Sequence, residues 1–225
     1  MVVLLPGFDG TGELFDPLEA ALDLPCQRIA YGVPAAAQDY LEVAEAQIPR
    51  DRGGVLVAES FSGPIALELL LRGRRDYRAL VLSATFARVP HAPVLAAFAR
   101  GGGHRFGASV VRKLVAEGLG LAGQGSAEVR AQVSRVVGAL DGNVVTSRIQ
   151  ALLHFDPRAS LGLISTPSRV LCPTRDRLVP PEHSVRLASA LPNAKLVRIA
   201  APHFLLQVQP ARCAQEIASV VSEIG

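Results

Sequence analysis

Six short apolar runs divide the chain, and segments of helical length separate most of them. The runs do not alternate strictly between apolar and polar residues, which indicates strands that are covered on both faces. Strands that alternate with helices are typical of a parallel sheet with helices on both faces, because crossover connections are right-handed. The sequence therefore predicts an α/β fold, a doubly wound and mainly parallel sheet of six strands. The predicted strands are 2–5, 26–31, 54–58, 79–83, 168–172 and 195–199.

The segments between the strands have helical character, with one long exception. The predicted helices are 13–22, 35–48, 62–72, 181–191 and 205–224. From 89 to 159 the sequence is rich in Ala, Val and Leu, carries two glycine-rich breaks and shows no convincing strand. This stretch is too long for a loop without structure of its own. We therefore predict a core formed by 1–88 and 160–225, with a small helical cap inserted at 89–159.

The composition fits one globular domain and argues against a nucleic-acid-binding protein. Of the 225 residues, 49% are hydrophobic, enough to bury a substantial core, and only 19% are charged, too few for a disordered chain. The formal net charge is +3, and most of the basic charge is arginine spread along the chain. The densest basic cluster, residues 72–78, lacks the aromatic interleaving of a nucleic-acid surface. We interpret it as a solvated loop, with a phosphate-binding patch as the weaker alternative.

The cysteines favour a reducing compartment, and the apolar segments argue against a signal peptide and a membrane span. Cys26, Cys172 and Cys213 are isolated and odd in number, without a disulfide framework or the CxxC spacing of a metal site, so we expect core residues. The N-terminal apolar run is only five residues long and has no positive leader, which predicts a strand and not a signal peptide. No segment approaches the ~20 apolar residues that cross a bilayer. We expect a cytoplasmic protein without a membrane span, metal or cofactor, and the oligomeric state stays open.

The third predicted strand runs directly into a serine. Residues 55–64 read VLVAESFSGP, and Ser60 has a small residue two positions before it, Ala58, and another two positions after it, Ser62. This is a relaxed form of the nucleophile elbow G-x-S-x-G, in which a tight turn lifts the serine hydroxyl out of the sheet. The alternative is that Ser60 or Ser62 only caps the following helix.

A nucleophilic serine needs a base, and the base needs an orienting carboxylate. In an open α/β sheet such groups collect at the carboxyl ends of the strands, in the chain order serine, acid, histidine. Asp176 follows the fifth predicted strand and His203 follows the sixth. Because each candidate ends a different strand, the sequence predicts that Ser60, Asp176 and His203 meet at one edge of the sheet.

Other assignments exist at each of these positions. The alternative for Asp176 is a turn residue before the next helix, and for His203 a capping or packing residue at the head of the last helix. Weaker candidates for base and acid lie in a helix start or in the irregular insertion: His183, His91, His104, His154 and Asp156. The joint occurrence of three residues in the expected order favours the triad.

The first strand leads into a glycine-rich turn, PGFDGTG (6–12), that opens a helix. In acyl transfer, backbone N–H groups aimed at the developing oxyanion stabilise the tetrahedral intermediate. We predict the N–H groups of Phe8 and Phe61 as the two donors of such an oxyanion hole. A phosphate-binding loop is the rival, but the turn lacks the G-K-[ST] ending of a P-loop, fits G-x-G-x-x-G poorly and carries the acidic Asp9.

Four segments together resemble the α/β-hydrolase superfamily: LLPGFDGTG, LVAESFSGPIALELL, CPTRDRLVPP and PHFLLQVQP. The nearest likeness is to small bacterial serine esterases of the pimeloyl-carrier-protein methyl ester carboxylesterase type. It spans nearly the whole chain except the insertion, which matches only in position, as a cap domain. The resemblance implies a hydrolase of small-molecule carboxylic esters, with Ser60 as nucleophile, His203 as base and Asp176 as orienting acid. It also implies that Phe8 and Phe61 supply the oxyanion N–H groups.

Three features depart from the family pattern. Pro6-Gly7 stands where the family usually has His-Gly, and Ala58 replaces the first glycine of the elbow. The chain also begins at the strand before the oxyanion loop, so we expect a pared-down fold without the two N-terminal strands. None of these departures removes a catalytic group.

The insertion also gives an indication of the substrate. Ala, Val, Leu and Phe side chains of the insertion, such as Phe98, Phe106 and Leu152, suggest a small or medium apolar acyl group. The same triad also serves acyltransferases, thioesterases and lactonases, because a fold does not fix a reaction. A catalytically silent binding protein of the same fold is a remote alternative, since such proteins usually lose a triad member.

Overall fold

The sheet has six parallel strands, as predicted. The structure is a computed structural model that describes residues 1–32, 36–49, 54–74, 76–100 and 120–224. Its strands are β1 (Val2–Leu5), β2 (Cys26–Arg28), β3 (Val55–Glu59), β4 (Ala79–Ser83), β5 (Ser168–Pro173) and β6 (Ala194–Ile199). They lie in the order β2-β1-β3-β4-β5-β6, and each neighbouring pair is parallel. The predicted fold class is therefore confirmed.

Burial follows position in the sheet. All residues of the four central strands β1, β3, β4 and β5 are buried, whereas the edge strands β2 and β6 are partly exposed. The strand predicted at 26–31 ends at Arg28 instead. The reason is that the Tyr31 N–H donates to the carbonyl of Gly10, in the loop after β1, and so leaves the sheet ladder.

Helices flank the sheet and fill the predicted insertion. They are α1 (Asp16–Ala21), α2 (Asp39–Gln47), α3 (Ser62–Arg72), α4 (Ala92–Arg100), α5 (Ala127–Gly138), α6 (Gly142–His154), α7 (Pro181–Ala190), α8 (Leu205–Val208) and α9 (Pro210–Ile224). Two 3₁₀ helices, Glu13–Phe15 and Pro157–Leu163, precede α1 and follow α6. Within the described ranges, no helix combines the length and apolar character needed to cross a membrane.

Two helix predictions need correction. The single helix predicted at 205–224 is divided into α8 and α9 at Gln209, whose backbone is non-helical (φ −128°, ψ 51°). Pro210 explains the break, since proline disfavours the helical conformation of the residue before it. The helix predicted at 35–48 begins at Asp39, whose carboxylate accepts a hydrogen bond from the Ala36 N–H in the preceding turn.

The two faces of the sheet bury separate cores, as expected for strands covered on both sides. Val3 and Leu5 of β1 point into a core that includes residues of α2 and α3. Val2 and Leu4 point to the other face and pack with residues of α1, α8 and α9. Alternate residues of a strand point to opposite faces, so one strand of continuous apolar sequence serves both cores. Of the three cysteines, Cys172 and Cys213 are buried, as expected of core residues, and Cys26 is half-buried in the edge strand β2.

The region between β4 and β5 builds a third apolar cluster. The described residues of the predicted insertion form α4, α5, α6 and the 3₁₀ helix, with no strand among them; residues 101–119 lie outside the described part. Val133 and Val137 of α5 pack with Ile149 of α6 and with Phe204, next to the predicted catalytic histidine. The helices of the insertion are thus placed over the carboxyl ends of the strands.

Candidate active site

The three side chains predicted as a triad lie at the carboxyl ends of three different strands. Ser60 follows β3, Asp176 follows β5 and His203 follows β6. His203 Nε2 lies 2.9 Å from Ser60 Oγ, and His203 Nδ1 lies 2.7 Å from Asp176 Oδ2. All three residues are buried, with 8% or less of their surface exposed. The structure therefore brings the three predicted residues into one continuous chain of hydrogen bonds.

Ser60 sits in a tight turn between β3 and α3. Its φ of +47° lies in the left-handed region, which a residue with a side chain adopts only when its surroundings impose it. Two contacts impose it here: the Ser60 N–H donates to the Ser83 carbonyl, and the Thr85 hydroxyl donates to the Ser60 carbonyl at 2.5 Å. A Cβ on Gly63 would lie 2.0 Å from Thr85 Oγ1, so the helix must begin with small residues. This is the geometry of the predicted elbow.

The alternative that a serine caps α3 is wrong for the described structure. The residue at the cap position is Phe61, and no side chain caps the helix. Ser62 instead donates its hydroxyl to the Pro6 carbonyl at 2.5 Å, and its oxygen lies 2.9 Å from the Tyr31 hydroxyl. Ser62 therefore ties the start of α3 to the glycine-rich turn after β1.

Asp176 is anchored by the backbone as well as by the histidine. Its Oδ1 accepts hydrogen bonds from the N–H groups of Leu178 and Val179, both at 2.8 Å, while Oδ2 faces His203. One carboxylate oxygen thus fixes the side chain, and the other is left to orient the imidazole. Asp176 thus is the turn residue that the sequence offered as its alternative role, and the hydrogen bonds of that turn orient its carboxylate toward His203.

The environment makes His203 a stronger base than a free imidazole. Burial opposes its protonation, but the Asp176 charge, the hydrogen bond to Asp176 and the Glu59 charge together raise the pKa of His203 above its ordinary value. Of the competing histidines, His91 lines the cavity beside Ser60, His154 packs edge to face with Phe155, and burial lowers the pKa of His183. His104 lies outside the described residues.

Phe8 and Phe61, the residues whose N–H groups were predicted as oxyanion donors, both line a cavity that Ser60 also lines. Within the described part of the chain, neither group donates a hydrogen bond to another protein atom. Their rings pack edge to face, with centroids 6.0 Å apart. Backbone N–H groups without a protein acceptor are available to a bound ligand, so these two groups stay the predicted oxyanion donors.

Comparison with known proteins gives the family. A model of the alpha/beta hydrolase family matches residues 2–216. The chain belongs to the alpha/beta hydrolase family. The resemblance seen in four sequence segments is therefore confirmed at the level of the superfamily.

Solved structures share the fold of this alpha/beta hydrolase over almost its full length. A thermophilic esterase from Thermogutta terrifontis superposes with a TM-score of 0.80 at 19% identity, covering 99% of this chain and 89% of that one. An enol-lactonase from Burkholderia xenovorans gives a TM-score of 0.76 at 19% identity, covering 98% and 90%. At such identities the likeness shows the shared fold.

One curated relative of this alpha/beta hydrolase is much longer than the chain. The polyketide synthase ThaQ of Burkholderia thailandensis is 30% identical over 221 residues, which cover 88% of this chain and 10% of that protein. The chain thus spans about a tenth of the length of that relative.

Glu59 is a site residue that the sequence analysis did not single out. It precedes the serine, is 2% exposed and lines the same cavity. Gln207 donates to its Oε2 at 3.3 Å, while its Oε1 has no partner among the described residues. Burial, and then the charge of Asp9, raise the pKa of Glu59 to about 7 against the opposing effect of His203. The sequence feature that could have indicated Glu59 is a carboxylate at the end of the strand 55–59, whose other residues are all apolar.

The pH dependence of stability tests this environment. The folded pKa of Glu59, about 7, lies above its ordinary value of 4.5, so stability that is fully present below pH 4.5 is lost as the pH rises to about 7. A glutamine has no such loss. We therefore compare the unfolding free energy of Glu59→Gln with that of wild type at two pH values. The variant minus wild-type difference should be about 3 kcal/mol larger at about pH 8 than at about pH 5.

Urea unfolding at both pH values measures that change. Glu42→Gln is the matched control, because Arg72 lowers the pKa of this exposed carboxylate. The stability that Glu42 contributes is therefore lost as the pH falls, and Glu42→Gln should not gain stability over wild type as the pH rises. The titratable groups that act on Glu59 or respond to it are Asp9, His203 and Cys213. An equal effect of Glu59→Gln at both pH values would show that the carboxyl is not held neutral by burial.

An apolar cavity opens above the serine. It has a volume of about 250 Å³ and is walled by the glycine-rich turn after β1, the turn that carries Ser60, the loop after β4 and helices of the insertion. Leu152 lines it, as predicted, together with Leu95, Val137 and Ile149. The side chains of Phe98 and Phe106 lie outside the described residues. Among the described residues, no group of three or more His, Cys, Asp or Glu is placed to hold a metal ion.

Proposed function

We propose that the protein is a serine carboxylic-ester hydrolase that acts on small or medium-chain acyl esters through an acyl-enzyme. Membership of the alpha/beta hydrolase family supports the reaction class. The single observation that carries the proposal is the hydrogen-bond chain from Asp176 through His203 to Ser60, at 2.7 and 2.9 Å, beside an apolar cavity.

The proposed reaction begins with attack of Ser60 Oγ on the ester carbonyl carbon, while His203 Nε2 takes the hydroxyl proton. The carbonyl oxygen becomes an oxyanion, which the N–H groups of Phe8 and Phe61 stabilise. His203 then gives the proton to the leaving alcohol as the carbon–oxygen bond breaks, and the acyl group stays on Ser60. A water attacks the acyl-enzyme, loses its proton to His203, and the acid leaves as Ser60 Oγ recovers the proton.

Asp176 has two parts in this scheme. Its hydrogen bond to Nδ1 keeps the proton of the neutral imidazole on that nitrogen, so that Nε2 is free to accept from Ser60. Its charge then stabilises the imidazolium that forms in each half of the reaction. The raised pKa of His203 is consistent with both parts.

The cavity supports an apolar acyl group of limited length. Its walls are almost entirely aliphatic and aromatic side chains, and Leu152 and Ile149 come from the helix α6 of the proposed cap. A volume of about 250 Å³ suits a short or medium chain better than a long one.

A chain-length series and an active-site label test the proposal together. We expect p-nitrophenyl butyrate to octanoate to be hydrolysed with the highest kcat/KM, with a steep fall toward palmitate. A fluorophosphonate probe should label the folded protein, and peptide mapping should place the label on Ser60. A folded protein that resists the probe and leaves every ester intact would instead support the silent binding protein.

A thioester is the second candidate substrate, and the similarity to the polyketide synthase ThaQ is the observation that favours it. The triad chemistry is unchanged, with a thiol leaving in place of an alcohol. Paired oxygen and thiol esters of one acyl group separate the two candidates by their kcat/KM ratio. Adding glycerol to the same assay reveals acyl transfer to an alcohol, since the glycerol ester then forms at the expense of free acid.

A further inference from the structure

A buried arginine connects the insertion to the glycine-rich turn 6–12 that follows β1. Arg148, on α6, is 2% exposed, although arginine side chains are rarely buried without partners. Its Nη1 donates to the Phe8 carbonyl and to the Asp9 carbonyl, the latter at 2.5 Å. One guanidinium group therefore binds two successive carbonyls of the segment that carries the Phe8 N–H.

The burial of this charge is costly, and the turn is shaped to accept it. Burial lowers the pKa of Arg148, against the opposing effects of Tyr40, Asp9 and Tyr31. The turn packs against the guanidinium so closely that a Cβ on Gly10, whose φ is +65°, would lie 2.3 Å from Nη2. Glycine is therefore required at this position by both backbone conformation and space.

The hydrogen bonds of the turn connect Arg148 to the Phe8 N–H through peptide planes. The peptide that contains the Asp9 carbonyl also contains the Gly10 N–H, which donates to the Gly7 carbonyl at 3.1 Å. That carbonyl belongs to the same rigid plane as the Phe8 N–H. A group that holds the Asp9 carbonyl therefore sets the direction of the Phe8 N–H through one intervening hydrogen bond.

The two ends of the turn are fixed by other groups, and Thr11 holds the Asp9 carboxylate, but the carbonyls in the middle of the turn depend on the arginine. Ser62 holds the Pro6 carbonyl, and the Tyr31 N–H holds the Gly10 carbonyl at 2.8 Å. Between them, within the described residues, only Arg148 donates to the carbonyls of Phe8 and Asp9.

We propose that Arg148 is a positioning residue for the oxyanion hole: from the inserted helix α6 it holds the Phe8 N–H toward the reacting carbonyl. The inference rests on the proposed ester hydrolysis and extends it, because it makes the insertion part of the machinery that stabilises the transition state. Loss of an oxyanion donor lowers kcat by about 10²–10³-fold, and a misdirected donor loses part of that.

Arg148→Met tests the role by removing the donors and keeping much of the side-chain volume. We expect kcat for p-nitrophenyl butyrate to fall by about 10- to 100-fold per folded molecule, with KM changed by less than about three-fold. Affinity for a butylboronic acid, whose tetrahedral adduct on Ser60 places an oxygen toward the Phe8 N–H, should fall by a similar factor. Arg148→Lys keeps a charged donor and should recover part of the lost kcat.

Arg169→Met is the matched control, because it removes another arginine that is only 5% exposed. Arg169 lies on β5 and pairs with Glu223 of α9, so its loss should lower stability without lowering kcat per folded molecule. If Arg148→Met does not fold, Arg148→Lys is measured instead, and its kcat and boronate affinity should both be lower than those of wild type.

The possible outcomes separate this inference from the proposed function. Wild-type kcat and boronate affinity in folded Arg148→Met, or in Arg148→Lys where the methionine variant does not fold, overturn the positioning role, as does a loss confined to KM. An inactive Ser60→Ala in the same assay leaves the ester hydrolase standing. If wild-type protein and Ser60→Ala hydrolyse the ester at the same rate, the hydrolase proposal fails and the inference fails with it.

Discussion

Ser60→Ala is expected to lower kcat for p-nitrophenyl butyrate by about 10⁵-fold or more, and to abolish labelling by a fluorophosphonate. The hydroxyl is the attacking atom, and no other serine oxygen in the described residues lies within hydrogen-bonding distance of His203. The fold should survive, because the contacts that hold the elbow are made by the backbone of Ser60 with Ser83 and Thr85. Initial rates and the thermal midpoint of both proteins measure the two effects.

Ser83→Ala is the control for this substitution. Ser83 is a buried serine at the end of β4, directly opposite Glu59 in the sheet, and its hydroxyl has no partner among the described residues. The Ser83→Ala protein should therefore hydrolyse the ester at the wild-type rate. A Ser60→Ala protein that keeps the wild-type rate would falsify the assignment of the nucleophile.

The order of the strand ends explains why the sequence was informative about the site. In a parallel sheet every strand delivers its next residue to the same edge, so a serine, an aspartate and a histidine that each follow a strand must come close together. The elbow pattern then identifies which serine, because small residues are required where strand and helix pass. Next to Ser62, the start of α3 is also close to the loop after β4, since a Cβ on Gly63 would lie 2.0 Å from Thr85 Oγ1.

Other features depend on contacts that no local pattern records. Arg148 reads in the sequence as one of many scattered arginines, and its burial depends on a turn 140 residues away. Glu59 is seen as the last residue of a strand, but its raised pKa depends on Asp9 and on the apolar walls around it. The break between α8 and α9 was accessible from Pro210, yet the apolar pattern continues through it and favours one helix.

Asp176→Asn is expected to lower kcat by about 10⁴-fold while leaving the backbone of the site intact. Two N–H groups, of Leu178 and Val179, point at Oδ1, so the amide oxygen of the asparagine must face them to satisfy both. The amide NH₂ then faces His203 and donates to Nδ1. The ring proton moves to Nε2, which now points a hydrogen at Ser60 Oγ and cannot accept one.

The control for this change is Asp156→Asn, since the sequence offered Asp156 as a competing acid. Its carboxylate pairs with Arg158 and Arg88 on the surface of the insertion, and its replacement should leave kcat unchanged. Circular dichroism and thermal midpoints of both variants check that the folds are retained. Equal kcat in Asp176→Asn and wild type would contradict the orienting role.

The pH profile separates a lost orientation from a merely damaged site. His203 must be neutral to act as a base, so wild-type kcat/KM should rise through a pKa above the ordinary value of 6.5 for histidine. Burial lowers that pKa, and the Asp176 charge is the largest effect that raises it. In Asp176→Asn burial is opposed mainly by Glu59, so the residual activity should rise at a lower pH than in wild type. A weakened activity with an unshifted profile would mean that the carboxylate acts on the fold and not on the imidazole.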